Sequence, residues 1–290
     1  MKKISIAILF TFILSFAVFA QAPQEKFVTV FGAKIRYLEA GDATKPKVIL
    51  LHGLGASADS WQSTPMVSSI AAFSQKYHVI APDQVGFGKS DKPFLKYRVG
   101  TYADFLDKFM SELKIEKASL VGNSLGGWVG GLMAVKYPNR VEKLILVDSA
   151  GLEPATIDFN RIYQLNNSTR DEVRANLKLI FANPMFHNEA FVDQFMTARV
   201  MTNDGNTINA IIESIKRKED FLDNELGKIK KPTLIIWGKQ DGLLPVTDAE
   251  KFNKGIAGSE LVIFDNCGHV PQFEKFPEFT KKVLEFLEKI

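Results

Sequence analysis

The stretch Leu120-Val-Gly-Asn-Ser-Leu-Gly-Gly-Trp128 sets one serine between two glycines, Gly122 and Gly126. A mostly apolar run (ASLVGN, 118–123) precedes it and a helix-like run follows. Glycine on both sides of one residue means a sharp backbone turn, a close approach by another segment, or both. Gly-x-Ser-x-Gly between a strand and a helix has a known mechanical use. The turn forces the serine into an unfavourable backbone geometry and lifts its hydroxyl above the sheet, while side chains at the glycine positions would collide with neighbouring backbone. The pattern alone is common, so its meaning depends on the rest of the chain.

Working outward, apolar runs alternate with longer stretches of helical period. The runs are KVILLHG (47–53), HVIAPD (78–83), ASLVGN (118–123), KLILVDS (143–149), TLIIWG (233–238) and ELVIFD (260–265). Short continuous apolar runs suit strands buried on both faces. TYADFLDKFMSELK (101–114) and FPEFTKKVLEFLEKI (276–290) carry helical stripes, and KFVTVF with AKIRYLEA reads as a hairpin through Gly32. Alternating strands and helices predict a mostly parallel sheet covered on both faces. Between about Leu152 and Lys231 the rhythm breaks. Ile162, Leu165, Leu177, Leu179, Ile180, Phe181, Phe191, Phe195, Ile211 and Ile212 stand mostly at helical spacing, punctuated by Asn183-Pro184 and Asp204-Gly205. A helical insertion over residues 152–231 is expected, dividing a core made of 21–151 and 232–290.

The N-terminus is of another kind. Lys2 and Lys3 precede an apolar run from Ile4 to Ala20, and small residues follow around Ala20-Gln21-Ala22. Positive head, apolar middle and small-x-small end describe a secretory signal peptide over residues 1–20. The expectation is an exported protein, periplasmic or secreted, with an uncleaved membrane anchor as the alternative because the run approaches spanning length. Loss of Lys2 and Lys3 leaves 34 basic side chains against 33 acidic ones. The 290 residues are 46% hydrophobic and 24% charged, with the two signs interspersed, so nothing points to nucleic acid as a partner. Cys267 is the only cysteine, which rules out an internal disulfide and a cysteine zinc cluster.

Open parallel sheets bind ligands at the carboxyl ends of their strands, and the chemically suggestive residues fall there. A serine hydroxyl needs a base. His78 opens a strand, His187 lies in the insertion, and His52 ends a strand in HGLG, where local hydrogen bonds are expected to hold it. His269, in DNCGHVPQFEKFPE, sits in a short stiff loop between the last strand and the last helix and is the candidate base. The base needs an acid. Asp241, in LIIWGKQDGLLP, is the candidate, with Asp148 at the end of LILVDS as its rival. Cys267 is a weaker rival nucleophile, with no elbow. The chain order Ser124, Asp241, His269 is the one expected for this architecture. The backbone N–H groups of Leu54, in HGLG, and of Leu125 are the candidate oxyanion donors. Chemistry of this type calls for no cofactor or metal ion.

Taken together, HGLG (52–55), DQVGFGKS (83–90), GNSLGG (122–127), GKQD (238–241) and GHVPQFEKFPE (268–278) resemble the α/β-hydrolase superfamily from about Phe27 to the end. The resemblance implies an eight-stranded, mostly parallel sheet with helices on both faces and a helical cap between the sixth and seventh strands. It also implies that Asp83 and its following glycines form a structural turn. Within the superfamily the chain is similar to monoacylglycerol lipases and carboxylesterases, and to carbon–carbon bond hydrolases of aromatic ring-cleavage products. The latter often carry tryptophan after the catalytic histidine, where Val270 stands here, and a cap arginine that holds a substrate carboxylate, a part open to Arg199. A serine nucleophile disfavours haloalkane dehalogenases and epoxide hydrolases. Cofactor-free haloperoxidases share a similar triad. A non-catalytic ligand-binding protein would have no need of serine, base and acid together. Phe181, Phe186 and Phe195 are candidates to line an acyl pocket, against the plainer reading that they pack the insertion onto the core. The expectation is hydrolysis of a small-molecule ester or lipid with an apolar acyl group, with membrane contact only through the N-terminal segment.

Overall fold

The computed structural model describes residues 22–64, 67–154 and 165–289; the expected signal segment 1–20 lies outside them, as does Ile162. The main sheet has eight strands. They are β1 (Gln24–Val30), β2 (Ala33–Ala40), β3 (Lys47–Leu51), β4 (His78–Pro82), β5 (Ala118–Asn123), β6 (Val141–Val147), β7 (Thr233–Gly238) and β8 (Glu260–Phe264). Their spatial order is β1-β2-β4-β3-β5-β6-β7-β8. β2 runs antiparallel to both β1 and β4, and every other pairing is parallel. A separate short ribbon pairs residues 62–64 with 67–68.

The central strands are apolar throughout because both of their faces are covered. Alternate residues of β3 show this. Ile49 and Leu51 enter a core cluster with Leu120, Leu144, Leu146 and Trp237, whereas Val48 and Leu50 enter another with Val121, Ile145, Val147 and Phe279. The period-two alternation of side chains thus feeds two cores from one strand. The edge strands are more exposed and carry charge, with Glu25 and Lys26 on β1 and Glu260 on β8, which discourages pairing with other chains.

Helices α1 (Ser69–Ser74), α2 (Val99–Glu112) and α3 (Leu125–Lys136) come before the insertion. In α3 every residue from Leu125 to Ala134 is buried, as expected of a helix apolar on all sides. Between β6 and β7 lie α4 (Arg170–Ile180), α5 (Glu189–Thr202) and α6 (Gly205–Lys216). A Thr169/Glu172 capping box starts α4, Asn188 caps α5, and α5 ends at left-handed Asn203 just before Asp204 opens α6. The Asn-Pro and Asp-Gly punctuation therefore marks real breaks. The chain finishes with α7 (Val246–Gly255), a one-turn helix at Pro271–Glu274, and α8 (Phe276–Glu288). No described helix is long and apolar enough to cross a membrane.

Candidate active site

Ser124 follows β5 with φ 55° and ψ −119°, a strained conformation for a residue with a side chain. Its N–H donates to Val147 O (3.0 Å), and its carbonyl accepts from Gly127 N (3.0 Å), Trp128 N (3.1 Å) and Ala150 N (3.1 Å). The turn is therefore over-determined by β6 and α3. A Cβ on Gly122 would stand 2.2 Å from Gly126 O, and one on Gly126 would stand 2.1 Å from Leu51 O. Sharp turning and close approach both require glycine here. Asn123 and Leu125 are buried, and Ser124 between them is only partly so.

The HGLG loop after β3 lies against this elbow, since a Cβ on Gly53 would come 3.3 Å from Ser124 Cβ. His52 is fully buried; its Nδ1 bonds to Gly53 O (2.8 Å) and its Nε2 accepts from Gln84 N (3.0 Å). Accepting at Nε2 requires the neutral ring, and burial pushes the His52 pKa down. His52 is thus a structural clamp, as expected. Asp83 has the same character. Its carboxylate accepts from Ala58 N (2.7 Å), Lys89 N (2.7 Å) and Arg36 Nη1 (3.2 Å). Leu54 is partly buried against the main core, and Leu125 N–H is the first of α3, where N–H groups have no intrahelical partner.

After β7, Asp241 folds its own loop. Its Oδ1 accepts from Leu243 N (2.7 Å) and Leu244 N (3.0 Å), and its Oδ2 meets His269 Nδ1 at 2.7 Å. Both side chains are buried, that of Asp241 completely. The carboxylate only accepts, so Nδ1 carries a proton, and in the neutral ring Nε2 is the nitrogen with the lone pair. The acid and base loops are tied by Gln240 N to Cys267 O (2.9 Å) and Cys267 N to Gln240 Oε1 (3.1 Å). Asn123 Nδ2 donates to both His269 O (3.0 Å) and Val147 O (3.1 Å), joining the elbow to the histidine loop.

Asp148, the rival acid, closes β6 beside Asp241, but the bond to His269 is made by Asp241. Burial, and then the neighbouring Asp241, push the Asp148 carboxyl well above its ordinary range. Cys267 is fully buried, and burial raises its thiol pKa, which leaves little thiolate for nucleophilic attack. His78 bonds to Glu39 Oε1 (2.7 Å) and His187 to Phe181 O (3.0 Å), both away from the elbow.

The insertion reaches the same loops. Gly242 N donates to Leu179 O (3.0 Å), and His269 N to Ile180 O (2.7 Å). Glu274 accepts from Gly268 N (2.7 Å) and Asn183 N (2.9 Å). Phe181, Phe186 and Phe195 form a satellite cluster with Val270 and Phe273 next to His269; the Phe181–Phe186 ring centroids are 4.8 Å apart and Phe181–Phe273 5.8 Å. Arg199 is paired with the fully buried Asp204 and bonded to Asn166. Asn123 and Glu274 are invisible to sequence reasoning. One stands at the free position of the serine motif, and the other resembles any surface glutamate of a helical turn.

The chain is 32% identical to the 2-hydroxy-6-oxononadienedioate/2-hydroxy-6-oxononatrienedioate hydrolase of Escherichia coli K12, covering 93% of this chain and 97% of that one. Among solved structures, a bacterial membrane phospholipase A is 30% identical with a TM-score of 0.80, over 92% of this chain and 86% of that one. A meta-cleavage product hydrolase of Pseudomonas fluorescens is 28% identical with a TM-score of 0.81, over 90% and 97%. Residues 46–276 match the family defined by the α/β hydrolase fold, with the sheet order and strand–turn–helix elbow described above, and the chain belongs to that family.

Proposed function

We propose that the protein is a serine hydrolase of carboxylic esters with an apolar acyl group, acting through an acyl-enzyme. The observation that carries this reading is the 2.7 Å bond from His269 Nδ1 to the buried Asp241, in a loop tied by Asn123 to the strained Ser124 turn. His269 Nε2 accepts the Ser124 proton as Oγ attacks the ester carbonyl. Asp241 stabilises the resulting imidazolium. The N–H groups of Leu54 and Leu125 receive the developing oxyanion. His269 returns the proton to the leaving alcohol. Water, activated by the same histidine, then releases the acid and regenerates Ser124.

Two observations favour esters over ring-cleavage dienoates. Val270 follows the base, and the charge of Arg199, which lies near Gly55, is already matched by the buried Asp204, so it offers no spare positive charge to a substrate carboxylate. Phe181, Phe186 and Phe195 pack against one another and Phe273, the plainer of the two readings, and the apolar acyl group is proposed from the apolar character of the insertion beside His269. The names of the similar proteins leave both chemistries in view, and the likeness to the E. coli hydrolase favours carbon–carbon cleavage as the second reading. A panel of nitrophenyl esters of graded acyl length, run beside one ring-cleavage dienoate, separates the two. Medium acyl chains are expected to outperform acetate, by about 0.8 kcal/mol per buried methylene until the pocket is full. Turnover of the dienoate with none of any ester would overturn the proposal.

Residues 1–20 are proposed to direct export, on their charge and apolar pattern. Intact mass of the exported protein is expected to begin near Gln21, whereas full-length chain in the membrane fraction would indicate an anchor.

A further inference from the structure

Asp148 ends β6 with a left-handed backbone, φ 42°. Its N–H donates to Ile236 O (2.9 Å), and its Oδ1 accepts from Gly238 N (2.9 Å), so β7 holds it at both points. The side chain is fully buried, and its second oxygen, Oδ2, has no protein donor. Yet one oxygen of Asp148, one oxygen of Asp241 and a ring nitrogen of His269 all lie within 4.8 Å of one another. Among the described residues, no lysine or arginine is paired with either carboxyl. The other titratable groups facing Asp148 are Cys267 and Glu274, neither of them cationic.

Two ionised carboxylates within 4.8 Å in a buried site, beside a His269 that must be neutral to act as a base and with no lysine or arginine paired to them, repel strongly, so one is expected to carry a proton. The distribution of donors decides which. Asp241 receives Leu243 N, Leu244 N and His269 Nδ1, whereas Asp148 receives only Gly238 N. Each donor stabilises the charged form, so the charge belongs on Asp241 and the proton on Asp148.

We propose that Asp148 is a neutral carboxylic acid at neutral pH whose Oδ2–H donates to the Asp241 carboxylate. It is a positioning residue that acts through Asp241. With this fourth donor, Asp241 is held from its own loop, from the histidine loop and from β6, and its orientation toward His269 is fixed. Burial and the charge of Asp241 both favour the protonated form. The unpartnered Oδ2 is thereby satisfied, since the missing partner is an acceptor for its own proton.

The kinetic consequence rests on the triad proposed above; the shared proton does not. Two measurements therefore separate them. Infrared spectroscopy of the wild-type protein at neutral pH is expected to show the carbonyl stretch of a buried protonated carboxylic acid, shifting in D2O and lost in Asp148→Asn. In ester turnover, Asp148→Asn is expected to stay close to wild type. Its carbonyl still accepts from Gly238 N, and its amide still donates to Asp241. Asp148→Leu keeps the branched shape with bulkier methyl ends but loses the donor to the charged Asp241 as well as the acceptor of Gly238 N, so kcat is expected to fall about 10- to 100-fold with KM unchanged. Asp241→Asn is expected to fall about 10^3- to 10^4-fold. Absence of the infrared band, or its survival in Asp148→Asn, overturns the proposal. So does an Asp148→Asn variant as damaged as Asp241→Asn, because Asp148 would then act as a charge. A folded Asp148→Leu with wild-type kcat overturns the positioning role. If the leucine variant does not fold, the band and the asparagine variant decide. If no ester is turned over at all, the ester reading fails and the band alone decides the shared proton.

Discussion

At the scale of single residues, Asp148 and Asp241 show how surroundings set the chemistry of one side-chain type. Both are buried aspartates at strand ends, but one is met by three donors and the other by one. The raised pKa of Asp148 has a consequence for stability, and its sign follows from linkage. Unfolded aspartates ionise near pH 3.9, roughly, and below that range folded and unfolded forms both hold the proton, so Asp148 costs nothing. Above it the unfolded chain releases a proton that the folded chain keeps. Stability then falls with rising pH by up to about 1.4 kcal/mol per unit until the folded carboxyl also ionises. Asp148→Asn removes this loss. The variant is expected to melt above wild type at neutral and alkaline pH, with the gap closing toward acid, as read by thermal melts across the pH range. A gap independent of pH, or of opposite sign, would contradict a neutral Asp148. Asp241 and His269 were legible from the sequence because each sits in a glycine-bounded loop just after a strand. The partnership of Asp148 with Asp241 was not, because it depends on how two strand ends 93 positions apart are juxtaposed across the sheet, and both residues read alike as candidate acids.

At the scale of elements, the elbow is where β3, β5 and α3 come closest. The backbone of α3 lies against the end of β3, and the room for it is made by Gly126. In Gly126→Ala the new Cβ would stand 2.1 Å from Leu51 O, with backbone on both sides and no flexible side chain to move. Overpacking of this kind costs about 1–3 kcal/mol. Displacing the start of α3 also moves the N–H of Leu125. The variant is expected to melt lower and to lose turnover. Gly227→Ala, whose new Cβ meets nothing within 4 Å, is the control and is expected to change neither. Equal behaviour of the two variants would show that the elbow tolerates bulk. The central strands were legible to within about two residues, because burial on both faces leaves a continuous apolar run. Helix starts were less so. α2 begins at Val99 rather than Thr101, with Gly100 N–H taken by Asp220 (2.8 Å), a residue 120 positions away.

At the scale of the whole molecule, the insertion is attached to the loops that carry Asp241 and His269, the proposed acid and base. Gly242 and His269 both donate to the end of α4, and Glu274 bridges the histidine loop to Asn183. A helical insertion was foreseeable from the change of rhythm after Leu152. Its clamping to Asp241 and His269 was not, because backbone hydrogen bonds leave no trace in side-chain pattern. Phe181, Phe186 and Phe195 were legible as apolar, but their packing with Phe273 emerges only in three dimensions. The proposed chemistry depends on Ser124 being the nucleophile that this scaffold exposes. The direct measurement is to treat wild type and Ser124→Ala with a fluorophosphonate, map the modified peptide by mass, and record ester turnover and a melting curve for both. The account predicts a single label on Ser124 in wild type, with label and turnover absent in a Ser124→Ala protein that melts cooperatively. Labelling at another residue, or undiminished turnover in that folded variant, would contradict it.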